Sequence, residues 1–168
     1  STYSKHSDGS GVAISSRLRP ILNMRPKYRH WLSPSLWQLN ADLHLTDWLE
    51  EKNFDFDVVT DEDLHLEGVD LLNRYKCVLT GSHPEYSSEK MLAAYEQYQL
   101  NGGRWIYLGS DGFYWISEYH PDNPNIIEVR KGEAGTRAWT ANPGEYNNAF
   151  DGKYGGMWRA RGRIPSKV

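Results

Sequence analysis

Cysteine is almost missing from this chain: Cys77 is the single one in 168 residues. An internal disulfide framework is excluded, and a lone cysteine inside a predicted strand reads as a small buried hydrophobe. Positive charge is not in excess either. Lys and Arg number 19 against 22 Asp and Glu, for a net charge of −3, so neither a polyanion nor a nucleic acid is an expected partner. No apolar run reaches the roughly 18 residues that a membrane-spanning helix needs. Ser1 to Ser10 is polar and lacks the apolar stretch of a secretory leader. The expectation is a cytoplasmic protein. What the chain does have is aromatics, with 7 Trp and 11 Tyr. These suit a sizeable apolar core or aromatic-lined surfaces.

Residues 1–36 are weakly patterned. Arg17, Arg19, Arg25, Lys27, Arg29 and His30 form a basic, Pro-interrupted stretch, which reads as an extended arm or linker. An anion site is the alternative. Residues 37–168 carry the periodic segments and read as one domain. The opening without Met and the closing Ile164-Pro165-Ser166-Lys167-Val168 suggest a piece of a longer polypeptide.

Within 37–168, Leu39, Leu43, Leu45, Trp48 and Leu49 recur at helical spacing, predicting a helix over Asn40 to Lys52. Phe54 to Thr60 alternates as a strand does. Asp61-Glu62-Asp63 opens a connection, and Gly68 to Tyr75 is a short helix or turn. Lys76 to Thr80 is a strand, Ser87 to Leu100 a helix stopped by Asn101-Gly102-Gly103, and Arg104 to Leu108 a strand. A Gly109-Ser110-Asp111-Gly112 turn leads into a helical Phe113 to Ile116, and Ile126 to Arg130 is a last strand. Alternating elements with strands 20 to 30 residues apart predict a three-layer α/β domain with a mostly parallel sheet in flavodoxin-like order.

Chemistry in such a sheet gathers at strand carboxyl ends. One such place is Thr60 to His65, another Gly109 to Gly112, and the third is Ser82-His83-Pro84-Glu85-Tyr86. In the last, imidazole, carboxylate and phenol stand within four residues, a donor set suited to iron(III) or zinc. The turn at Ser110 is similar to the elbow on which class I glutamine amidotransferases carry a nucleophilic cysteine, but no cysteine is there. A serine hydrolase built on Ser110 is a weaker reading.

Several segments together resemble a known family. They are Ala41-Asp42-Leu43-His44-Leu45-Thr46-Asp47-Trp48, Thr80-Gly81-Ser82-His83-Pro84-Glu85-Tyr86, Gly109-Ser110-Asp111-Gly112-Phe113-Tyr114-Trp115 and Glu128-Val129-Arg130-Lys131-Gly132-Glu133. Their order is similar to the C-terminal domain of the large (beta) subunit of N,N-dimethylformamidase. The resemblance implies a glutamine-amidotransferase-like fold without its cysteine, and an amidohydrolase that cleaves small N-substituted formamides to formate and an amine. It implies a mononuclear iron, Fe3+, held by two tyrosines and a glutamate, and an assembly with a small subunit. Tyr86 matches one tyrosine. His44 falls where the other is expected, and Glu145, with Glu118 second, is the candidate carboxylate. Lys153 stands where an acid is expected. His83, Glu85 and His120 are the candidates for moving protons to the leaving amine. The alternative is a non-catalytic amidotransferase-like domain used for subunit or domain contacts.

Overall fold

The computed structural model describes residues 2, 4–29, 34–131 and 144–159. Its elements run β1 (Ile14–Ser16), α1 (Leu39–Glu51), α2 (Asp61–Glu67), α3 (Val69–Leu72), β2 (Cys77–Leu79), β3 (Tyr86–Ser87), α4 (Glu89–Leu100), β4 (Arg104–Ile106), β5 (Trp115–Ile116), β6 (Glu118–His120) and β7 (Asn123–Glu128).

Two helices start where local hydrogen bonding dictates. Thr60 caps α2: its side chain accepts from the Asp63 N–H, and the Asp63 carboxylate accepts from the Thr60 N–H at 2.9 Å. Those bonds hold the Asp63 carboxyl below its usual range. Ser88 caps α4 through the Met91 N–H at 3.3 Å. Helices α2, α3 and α4 then bury one face each, and Leu64, Leu71, Leu72, Met91, Ala94 and Tyr98 form the core with Val78 of β2 packed against it. Each such large side chain contributes roughly 1.5–3 kcal/mol by leaving water. Gly103 permits the closeness of this packing, since a Cβ there would lie 2.3 Å from the Tyr98 ring.

The expected three-layer, mostly parallel, flavodoxin-like or amidotransferase-like sheet is not what the chain forms. The largest sheet has the order β1-β7-β6, with both pairings antiparallel. Parallel pairing is confined to two separate two-stranded sheets, β2 with β4 and β3 with β5. The reasons are local. Only Pro121 and Asp122 separate β6 from β7, and so short a connection allows only an antiparallel return. Asp111 and Phe113 both take a φ of 51°, a left-handed conformation that stops a helix over 113–116. Trp115 and Ile116 instead pair with Tyr86 and Ser87. The alternating stretch 54–60 joins no ladder, although α1, α4, β2 and β4 lie within two residues of their predicted bounds.

Candidate functional site

The loop after β2 is held from three sides. Thr80 is buried; its N–H donates to Ile106 O at 3.0 Å and its hydroxyl accepts the Leu108 N–H at 2.9 Å. From α1, Asp42 Oδ1 accepts the Ser82 N–H at 2.6 Å. On the far side the 110–115 turn donates backbone N–H groups: Ser110 to Ser82 O at 3.0 Å, Phe113 to Pro84 O at 2.8 Å, and Trp115 to Glu85 O at 2.9 Å. Gly109 sits so close that a Cβ would lie 2.2 Å from Pro84 Cδ. His83, Glu85 and Tyr86 are therefore presented by a braced loop, each half-buried.

Where β7 runs out, Lys131 turns inward and is fully buried. Its Nζ donates to Tyr86 Oη at 2.6 Å and lies 4.8 Å from the Tyr86 ring centre and 4.6 Å from that of Trp115. Trp115 is itself buried. An ammonium walled by two aromatic faces and bonded to a phenol oxygen stabilises negative charge on that oxygen, and exclusion of water strengthens the effect. Beside it Glu128, also fully buried, accepts from Arg130 Nε at 2.7 Å and from the Ala149 and Phe150 N–H groups at 2.9 and 3.0 Å. Three donors satisfy the carboxylate, and two of them tie β7 to the 145–158 loop.

The other predicted residues are placed differently. His83 lies edge-on to Trp37, at a ring separation of 5.3 Å, with its Nε2 4.0 Å from Asp111. His120 accepts the Asp122 N–H at Nδ1 and meets the Phe150 ring at 5.0 Å, on the Glu128 side. Glu145 gives its backbone carbonyl to Arg130 Nη1 at 3.1 Å. His44 is exposed on α1. It lies two residues from Asp42, about 200° around the helix from the side chain that grips Ser82. Among the described residues no three His, Cys, Asp or Glu side chains stand together as a metal group. Of the set expected to hold iron, Tyr86 lies on the braced loop, His44 on α1, and Glu145 in the loop whose backbone meets Arg130. Lys153, the other departure, pairs on the surface with Glu89 at the start of α4.

Two further titratable groups lie near. Crowding around its carboxyl raises Asp61 above the ordinary carboxylate range even though the residue is exposed overall, and the charge of Asp42 adds to the rise. His65 is buried, stacked at 4.2 Å on Tyr119, and desolvation followed by the charge of Lys90 lowers its pKa to about 4. Its Nδ1 lies 2.8 Å from Ser88 Oγ, a hydrogen bond whose direction follows the imidazole tautomer. The Ser110 turn leads into β5 rather than a helix, so the amidotransferase-like strand–turn–helix elbow expected there is not formed.

The whole chain, residues 1–168, matches the family model described as N,N-dimethylformamidase beta subunit-like, C-terminal. The chain belongs to that family. It is 52% identical over 168 residues to the N,N-dimethylformamidase beta subunit of Paracoccus aminophilus, and 51% identical to the protein of the same name from Alcaligenes sp. Each match covers 100% of this chain and 22% of the relative, so the chain spans about a fifth of those subunits.

Within this family domain, the residue that inspection of the sequence missed is Lys131. A signal was there. Glu128, Arg130 and Lys131 interrupt a run whose Ile126, Ile127 and Val129 read as a strand interior. Charges in such a run are tolerated only when paired, and here each has a partner.

Proposed function

We propose that this domain takes part in hydrolysing the C–N bond of small N-substituted formamides, releasing formate and an amine, and that Tyr86 backed by Lys131 is its reactive centre. One observation carries the proposal: a fully buried ammonium is committed to the oxygen of a half-buried tyrosine on a braced loop. Family membership supports the reaction class.

The chemistry follows from the amide. Attack of water on a formamide carbonyl develops negative charge on the carbonyl oxygen, and the amine must gain a proton before it leaves. Tyr86, polarised by Lys131, is suited to meet that charge with its O–H. Hydrogen-bonding groups that polarise one another act more strongly in series. His83 and Glu85, on the same loop, are the candidates for delivering the proton. The buried faces of Trp115 and the lysine stem keep bulk water from the pair. Iron is the proposed cofactor; were Tyr86 to hold it as the phenolate, the metal's Lewis acidity would meet the charge on the carbonyl in place of the phenol O–H. A small subunit is proposed as partner because the relatives are named beta subunits.

Purified full-length subunit with its partner, supplied with N,N-dimethylformamide, is expected to release formate and dimethylamine in equal amounts. Metal analysis of the same sample is expected to find iron. No formate above the uncatalysed rate would instead favour the reading as a non-catalytic contact domain, which the outward-facing His44 supports.

A further inference from the structure

Strand β4 has the composition of an inner strand and the position of an outer one. Parallel strands occur in sheets covered on both faces, and a two-stranded sheet alone is marginal. Here one face is covered. Val78 packs on the α2–α4 core, and its register partner Trp105 stacks on Tyr95 of α4 at 5.2 Å. The opposite face carries Ile106, 44% exposed, and Leu108, 47% exposed. Tyr107 between them is exposed too, so the strand and its extension are apolar on both sides. Val58 and Phe54 add more exposed apolar surface from the unpaired 54–60 stretch.

The outer edge is open as well. Ile106 O accepts from Thr80, and the Leu108 N–H goes to Thr80 Oγ1, so both residues point their backbone groups at β2. Alternation turns the N–H and C=O of Trp105 and Tyr107 the other way. Among the described residues no strand pairs with that edge. Natural sheet edges are blunted with charge, proline or a bulge. Ile106-Tyr107-Leu108 has none of these.

We propose that a β-strand from elsewhere in the same full-length subunit, outside the described residues, adds to this edge through Trp105 and Tyr107, and that polypeptide from the same source covers Ile106 and Leu108. The occupant is assigned to the same subunit because residues 1–168 account for only 22% of the relatives' length. Exposed apolar side chains along an open strand edge mark a surface made to be covered.

Amide hydrogen exchange on the full-length subunit tests it. The Trp105 and Tyr107 amides are expected to exchange at least ~100-fold more slowly than unstructured amides, as inner-strand amides do, and to do so at every protein concentration. Near-unstructured rates would overturn the proposal. Protection lost on dilution would assign the edge to a second copy, and protection present only with the small subunit would assign it to that partner; either outcome overturns the same-subunit assignment. As a second readout, Ile106→Asp and Leu108→Asp should each lower the Tm of the full-length subunit by several degrees, whereas Leu100→Asp, at an exposed site on α4, should not. Equal tolerance of all three would contradict the proposal.

Discussion

Lys131 Nζ lies 2.6 Å from Tyr86 Oη, and no part of the lysine is exposed. Removing one partner of a buried, charge-assisted contact leaves the other uncompensated. Lys131→Met, close in volume, is therefore expected to keep the fold but lower kcat/KM for formamide hydrolysis by about 10²-fold, the scale of losing one charge-stabilising donor. Lys131→Arg should not restore it, because a planar guanidinium does not fit between rings 4.6 and 4.8 Å from the nitrogen. Steady-state kinetics on the two variants, with circular dichroism as the check on folding, give the result.

Gly109 fixes how close the 109–112 turn comes to Pro84. A methyl group there would have to move a proline ring that lies 2.2 Å from its position. Gly109→Ala is expected to cost about 1–3 kcal/mol, the range for overpacking, and to shift the 83–86 loop. Chemical denaturation measures the first effect, and a loss of activity larger than the loss of folded protein reports the second.

Glu128 accepts three hydrogen bonds without exposure to solvent. Glu128→Gln keeps the shape but replaces one acceptor oxygen by an N–H₂ facing donors. A loss on the order of 3–5 kcal/mol is expected, with Arg130 left short of its counter-charge. Urea unfolding of the variant against the parent provides the test.

His65 makes stability depend on pH. Its folded-state pKa of about 4 lies below the usual 6.5, so the unfolded chain binds the proton more readily between those values. The His65 contribution is complete above about pH 6.5 and is lost as pH falls toward 4. Allowing for residual solvent access, the loss is on the order of 1–2 kcal/mol. His65→Gln should flatten the stability profile between pH 4 and 6.5. A profile of unchanged slope would show that other groups account for it.

The sequence made some of this legible and not the rest. Helices α1 and α4 are marked by apolar spacing and by their stops, so their bounds fall within two residues of the reading. The 83–86 loop stands out because three functional side chains crowd into four positions. The sheet order does not show in the same way, since strand spacing is ambiguous between crossover and hairpin until the turn at Pro121-Asp122 is seen to close tightly. The 54–60 stretch has strand periodicity, yet periodicity does not supply a partner strand. A lysine is expected at the surface; only the fold brings Lys131 to Tyr86, 45 positions back along the chain.

The most direct test is the rate of formate release from N,N-dimethylformamide by the full-length subunit assembly carrying Tyr86→Phe, compared with the parent. Phenylalanine preserves the ring against which Lys131 packs at 4.8 Å and removes only the oxygen. A folded variant whose kcat falls by at least about 10²-fold is the expected result. A folded variant with the parent's rate would remove Tyr86, and Lys131 with it, from the reaction.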